Sequence, residues 1–289
     1  MLDKVQEKQK VCSNISILKR RMDISDEQMR MSVYQLARLL SADAKNSVKD
    51  IYGELCRLLP DATPEQRAYA CRYVCSERRF SGELEEMKLF GDGERTLPGT
   101  HGKVAYVRNG RNDEVFSHFL KKHRGAKAHY VSSFADACDA VFSNTCEFCL
   151  LPIKNNKDGK LFSFYSMLDR YELKICDVTE YEESSGGDTT EFALVGRRVE
   201  TSRNASLTQR FEFSVINEDA CFLGDVIYVS ELLGGKLVSV DTHPVAYDEL
   251  LNSFYFTVDF EATSPLPLAL YLNLEFMRFS PIGLYAVKR

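Results

Sequence analysis

The sequence predicts a multidomain chain of mixed α/β and α+β class, with a helical region over 1–95, a three-layer α/β lobe over 103–200 and a ferredoxin-like βαββαβ unit over 206–289. Three observations carry this. Apolar residues recur at helical spacing up to about residue 90, short apolar strands alternate with amphipathic stretches from Lys103, and a strand-rich pattern in the order βαββαβ follows the polar spacer SRNAS.

In the first part, Leu2, Val5, Cys12, Ile15, Leu18 and Met22 share a helical stripe. Ser25 and Gln28 form a capping-box pattern ahead of Met29, Val33, Leu36 and Leu40. Val48, Ile51, Leu55 and Leu58 give a third helix ended by Pro60, and Thr63 before Pro64 reads as a cap and first-turn proline for a fourth running to about Arg79. A short fifth is expected over 83–90. GDGERTLPGTHG, 91–102, has turn residues and no periodicity, and is read as a linker.

From Lys103 the segments KVAYV, DEVFSHFLKKH, AHYVS, SFADACDAVFSN, CEFCLLPI, LFSFYSMLDRY and LKICDVTEY alternate strand and helix, the mark of a mainly parallel sheet. The last part reads LTQRFEFSVI (strand), FLGDVIYVSELL (helix), KLVSVDTHPV and SFYFTVDFEA (strands), PLPLALYLNLEFM (helix) and FSPIGLYAVKR (strand).

Composition narrows the function. A chain of 289 residues, 44% hydrophobic and 11% aromatic, can fill sizeable cores, and a net charge of -5 argues against general nucleic-acid binding. The opening MLDKVQEKQK lacks the apolar core of a signal peptide and no long apolar run follows, so a soluble cytoplasmic protein without a membrane partner is expected. Nine cysteines scattered through apolar patterns read as reduced core thiols. Strand alternation would send Cys146 and Cys149 to opposite faces, and Cys71 with Cys75 has no second pair at zinc spacing, so neither metal nor cofactor is expected.

The polar stretch within LLPIKNNKDGKLFSFYSMLDRY, 150–171, follows the third strand, and ligands collect at strand carboxyl ends in α/β sheets. Lys154, Asn155, Asn156, Lys157 and Lys160 offer cations and amides suited to carboxylates; the alternative is a solvated loop.

Together these segments resemble prephenate dehydratase, in particular the bifunctional form with an N-terminal chorismate mutase domain and a C-terminal ACT domain. KVAYVRNGRNDEVFSHF is similar to the family's opening strand and turn, LLPIKNNKDGKLFSFYSML to its Pro-Ile-Glu-Asn-Ser motif, and TTEFALVGRR to its Thr-Arg-Phe motif. VDTHP, FYFTVDFEA and FSPIGLY are similar to segments of its ACT domain.

The resemblance implies that Thr190 and Asn155 are remnants of the catalytic set. It also implies that Lys154 replaces the family's Glu, Asn156 its Ser, Glu191 its Arg, and Arg108 with Asn109 its Gly-Pro. Ala220, Cys221 and Phe222, with Asp241, Thr242, His243 and Pro244, would hold the regulatory ligand of the ACT-like unit. Lys19, Arg20, Arg21, Arg30 and Arg38 match a mutase by residue type only.

Between Tyr181 and Thr190 stands only EESSGGDT, where the family carries a whole second lobe. A dehydratase must expel hydroxide and carbon dioxide from a closed site, and losing the proton donor alone forfeits on the order of 100 to 10,000-fold. The resemblance therefore implies a non-catalytic or regulatory relative tied to phenylalanine biosynthesis. It would bind a small aromatic or dicarboxylate metabolite such as phenylalanine or prephenate, or a protein partner, and pair as a homodimer through ACT edge strands. The alternative is an active prephenate dehydratase, a lyase, possessing mutase activity as well and completed by oligomerisation.

Overall fold

The structure, a computed structural model, describes residues 17, 20–21, 24–39, 48–58, 61–77, 102–122, 125–182, 187–197, 208–217, 222–245 and 248–287. The chain divides into two compact units, Met1–Arg79 and Phe80–Arg289.

The first unit is helical: α1 over 24–39, α2 over Val48–Leu58 and α3 over Pro64–Glu77. Val33, Ile51 and Leu55 of the sequence stripes are buried, together with Ala37 of α1 and Ala68, Cys71 and Val74 of α3, whereas Met29 and Leu36 are half-buried and Leu58 is exposed. Thr63 caps α3 as expected: its hydroxyl accepts from the Gln66 amide at 3.3 Å, and the Gln66 side chain accepts from the Thr63 amide at 3.1 Å. Ser25 does not cap, because Ile24 is already helical. Arg20, Arg21 and Arg38 are exposed, and Arg30 pairs with Glu27 one turn away, which is the behaviour of a solvated face. The expected first helix, apart from residues 17 and 20–21, lies outside the described residues, as do Lys19, the fifth helix and most of the linker.

The second unit is built on one ten-stranded sheet. In chain order its elements are β1 (Lys103–Val107), α4 (Gly110–Lys122), β2 (Lys127–Val131), α5 (Phe134–Phe142), β3 (Phe148–Asn155), β4 (Gly159–Lys160), α6 (Phe162–Arg170), β5 (Lys174–Glu182) and β6 (Thr189–Gly196). These are followed by β7 (Thr208–Asn217), α7 (Leu223–Leu232), β8 (Gly235–Val245), β9 (Asp248–Phe260), α8 (Leu266–Glu275) and β10 (Phe279–Val287). The strand order is β2-β1-β3-β6-β5-β10-β7-β9-β8, with β4 hairpinned onto β3.

The first part of this sheet is the middle of three layers, and the pleat explains why. Val104 and Tyr106 of β1, with Phe148 and Leu150 of β3, join Val115, Phe116 and Phe119 of α4. Ala105, Cys149, Leu151 and Ile153 turn the other way and join Ala137, Cys138 and Val141 of α5 and Leu168 of α6. Cys146 packs in the same cluster as Cys149 rather than opposite it, because it precedes the strand and the alternation does not reach it.

The sheet is mixed rather than mainly parallel. β1 pairs parallel with β2 and β3, but β6 pairs antiparallel with both β3 and β5. The β5–β6 ladder is antiparallel and paired as far as Glu182↔Thr189, so these consecutive strands form a hairpin.

Strands β7 to β10, with α7 and α8, have the ferredoxin-like arrangement, antiparallel in the order β10-β7-β9-β8. Phe211, Phe213 and Val215 of β7 are buried, and Phe213 stacks on Phe256 of β9 at 4.9 Å. Glu212 and Ser214 alternate to the other face, yet they too are buried. The two parts of the sheet meet where β10 pairs parallel with β5 at the single register Gly283↔Ile175. A Cβ at Gly283 would lie 2.6 Å from the Ile175 Cβ, so this crossing needs glycine for close approach.

Candidate functional site: a charged seam in the second unit

The polar stretch after β3 closes on itself. Asn155 lies opposite Gly159, its side-chain oxygen accepts from the amides of Lys157 at 2.9 Å and Asp158 at 2.5 Å, and its side-chain amide donates to Asp158 at 2.9 Å. This is an Asx turn, with Gly159 supplying the positive φ of 71° that reverses the chain. Asn156 donates to the Gly187 carbonyl at 2.6 Å and accepts from the Thr189 amide at 3.3 Å, while Lys157 pairs with Asp188 at 2.5 Å. Of the five predicted anion-binding residues, Asn155 therefore closes the β3–β4 turn and two, Asn156 and Lys157, stitch it to the start of β6.

The pleat separates the others. Lys154 lies opposite Glu191, and Asn155 opposite Thr190, on consecutive positions of β3 and β6. Consecutive strand residues face opposite ways, so the lysine–glutamate pair and the asparagine–threonine pair occupy different faces. Lys154 Nζ donates to Glu191 Oε1 at 2.8 Å. Lys154 and Glu191, read from the sequence as two separate substitutions, thus form one ion pair. Thr190 is buried, opposite Asn155 on one side and Tyr181 on the other.

Lys160 has a different fate. Its ammonium is buried and lies 3.1 Å from Glu212 Oε2, 3.6 Å from Asp241 Oδ2 and 2.9 Å from the Thr257 hydroxyl, 5.2 Å from the centre of the Tyr165 ring. Tyr165 donates to Glu212 Oε2 at 2.8 Å, and Tyr285 donates to Glu212 Oε1. Helix α6 thereby covers the polar face of the ferredoxin-like sheet, and Asp169 at its end accepts from Tyr255 at 3.1 Å.

The electrostatics follow from burial. Desolvation alone would raise the Glu212 carboxyl, but the Lys160 charge and the hydroxyls of Tyr285 and Tyr165 outweigh it and hold it below its usual value. Burial and the adjacent Glu212 charge push the Tyr165 and Tyr285 phenols well up. Asp169 is raised by burial despite the Tyr255 bond, and burial likewise pushes Tyr255 up to about 12.

Of the expected regulatory residues, Ala220 and Cys221 lie outside the described residues. Phe222 is core, packed edge-on to Phe254 at 5.2 Å and against Phe276 at 5.5 Å. Asp241 accepts from Ser239 at 3.2 Å and faces Lys160; Thr242 is exposed on β8; His243 lies over Phe162 with ring centres 4.8 Å apart, its Nδ1 2.8 Å from the Pro244 carbonyl oxygen. Asp241 and His243 thus meet the segment leading into α6.

A cleft of about 450 Å³ opens where β5 and β10 splay apart beyond the Gly283 crossing. Val178, Thr179 and Glu180 of β5, Glu191 of β6, Thr208 and Arg210 of β7, Asp259 of β9 and Tyr285 to Val287 of β10 line it. Arg210 is held by Asp259 through two bonds, at 2.8 and 3.0 Å, which raise its pKa further. Sequence reading misses Glu212, Arg210, Asp259 and Tyr285; the one available signal is a glutamate set between Phe211 and Phe213 in a strand whose two faces are both covered. Among the described residues no cluster of three or more His, Cys, Asp or Glu side chains could hold a metal ion, and no helix is long and apolar enough to cross a membrane.

No protein-family model matches the sequence, and neither does any curated protein. Solved structures do match in shape. An X-ray structure of prephenate dehydratase from Streptococcus mutans aligns with TM-score 0.52 at 17% identity, covering 65% of this chain and 100% of that one. GqqA, described as a novel type of quorum quenching acylase, aligns with TM-score 0.50 at 18% identity over 68% of this chain and 97% of that one. A prephenate dehydratase from Arthrobacter aurescens in complex with L-Phe aligns with TM-score 0.49 at 12% identity over 64% and 90%. The chain has a prephenate dehydratase-like fold.

Proposed function

We propose that this chain is a non-catalytic prephenate dehydratase-like protein that binds a small metabolite, with the ferredoxin-like unit acting as an ACT-type ligand-binding partner of the α/β lobe. The observation that carries the reading is the Lys154–Glu191 ion pair. At the two positions where the resembling family bears an acid and an arginine, this chain bears a base and an acid that neutralise each other. A dianionic substrate would meet Glu191 where it needs a guanidinium, and in a desolvated site that exchange turns attraction into repulsion.

The surrounding geometry supports the same reading. Asn155 spends its side chain on the turn, and Thr190 is buried between paired strands. The β5–β6 hairpin gives Thr190 a neighbouring strand where a closed site needs a second wall.

The test is direct. Purified chain mixed with prephenate should yield no phenylpyruvate above the uncatalysed background. Turnover that disappears in Thr190→Val would overturn the reading.

A further inference from the structure

The cleft between β5 and β10 is distinct from the strand face bearing Asn155 and Thr190, because Glu191, which lines it, lies on the opposite side of the pleat from Thr190. Its volume of about 450 Å³ is that of a small-molecule site. The cleft exists because of a backbone feature rather than a loop. β5 and β10 touch at Gly283 and Ile175 and then diverge, so Val178 to Glu180 form one wall and Tyr285 to Val287 the other.

The chemistry of the walls selects the occupant. The described charged groups are three carboxylates, Glu180, Glu191 and Asp259, and one guanidinium, Arg210. Arg210 spends Nε and Nη2 on Asp259, so its charge is already matched by a carboxylate of the same wall. Glu191 gives Oε1 to Lys154 and keeps Oε2. Glu180 is exposed, stands directly opposite Glu191 in the β5–β6 ladder, and forms no ion pair with a described residue. Like charges placed face to face across a ladder repel, and a cation between them converts that cost into attraction. The remaining lining sets Val178, Ala286, Val287 and Tyr285 beside the hydroxyl residues Thr179 and Thr208.

We infer that this cleft binds a small molecule carrying a protonated amine beside an apolar or aromatic body, with the ammonium between Glu180 and Glu191 and the body against Tyr285 and the valines, and that it rejects carboxylates. The inference rests on the reading of the chain as a small-metabolite binder and names the chemical class. It replaces the dicarboxylate expected from the sequence, because the lysines and asparagines that prompted that expectation are consumed by the turn and by ion pairs.

Isothermal titration of the full chain with phenethylamine, phenylalanine and 3-phenylpropanoate compares one aromatic body carrying positive, zwitterionic and negative charge. Phenethylamine should bind best, phenylalanine more weakly, and 3-phenylpropanoate should give no heat. Glu180→Gln, an exposed change that leaves the fold intact by circular dichroism, should weaken phenethylamine about tenfold. If 3-phenylpropanoate binds as well as the amine, the charge class is wrong while small-metabolite binding survives. If all three traces are flat, both readings fall. Undiminished amine affinity in Glu180→Gln overturns the location.

Discussion

Two lysine–glutamate bridges grow from one short stretch of chain and meet opposite surroundings. Lys154 and Glu191 keep 44% and 26% of their side-chain surface, whereas Lys160 and Glu212 keep 8% and 4%. The first is a rung on neighbouring strands at the rim of the cleft. The second joins residues far apart in sequence and is sealed beneath helix α6. Identical chemistry therefore does different work: the exposed pair decides which charges a visitor meets, and the buried pair decides how the lobe and the ferredoxin-like sheet register on each other.

The sharpest way to break this contrast is to remove one partner of the buried bridge. Glu212→Ala leaves an uncompensated ammonium at Lys160 and two tyrosine hydroxyls without their acceptor, and is expected to cost about 3–5 kcal/mol in urea unfolding. The double change Lys160→Met with Glu212→Leu should recover most of that loss, since an apolar pair of similar volume leaves no buried charge. A double variant no more stable than the single one would show that the charges themselves, and not merely their mutual satisfaction, hold the seam.

Acidity tests the buried bridge next. The folded Glu212 carboxyl lies below its usual value, so its contribution to stability is complete above the unfolded pKa of about 4.3 and is lost as pH falls through the folded value. Asp169 works with the opposite sign, because its raised folded value favours the protonated form. Urea midpoints followed from pH 7 to pH 3 should therefore fall more steeply in the parent chain than in Glu212→Gln. Parallel curves would remove Glu212 as a contributor.

The smallest effect belongs to the exposed bridge. Lys154→Ala should cost less than about 1 kcal/mol, as solvent-screened pairs do, and the cost should shrink further in high salt. A loss as large as that of Glu212→Ala would erase the distinction between the two.

The same contrast shows what the sequence makes legible. Apolar periodicity locates most helices and strands of the second unit, and the order βαββαβ marks the ferredoxin-like part before any coordinates are known. Thr63 and Pro64 announce α3 because capping is a local interaction. Partnership is another matter. Lys154 and Glu191 are recognisable as altered motif residues, but only the β3–β6 register reveals that they alter each other. Lys160 reaches Thr257 across 97 positions, and no local pattern encodes that distance. Glu212 alternates with phenylalanines as a solvent-facing strand residue would, and is buried because a helix from elsewhere lies over it. The parallel sheet expected from strand–helix alternation fails at β5 and β6, where no helix intervenes and a hairpin is the short connection.

Gly283 gives the sheet a waist. Both halves of a wide platform hang from one point at which a methyl group would already collide with Ile175. Widening that point would drive the flanking strands apart like the arms of scissors, changing the span of the cleft without touching any residue that lines it. The gap between Glu180 and Tyr285 is therefore set by a residue with no side chain at all.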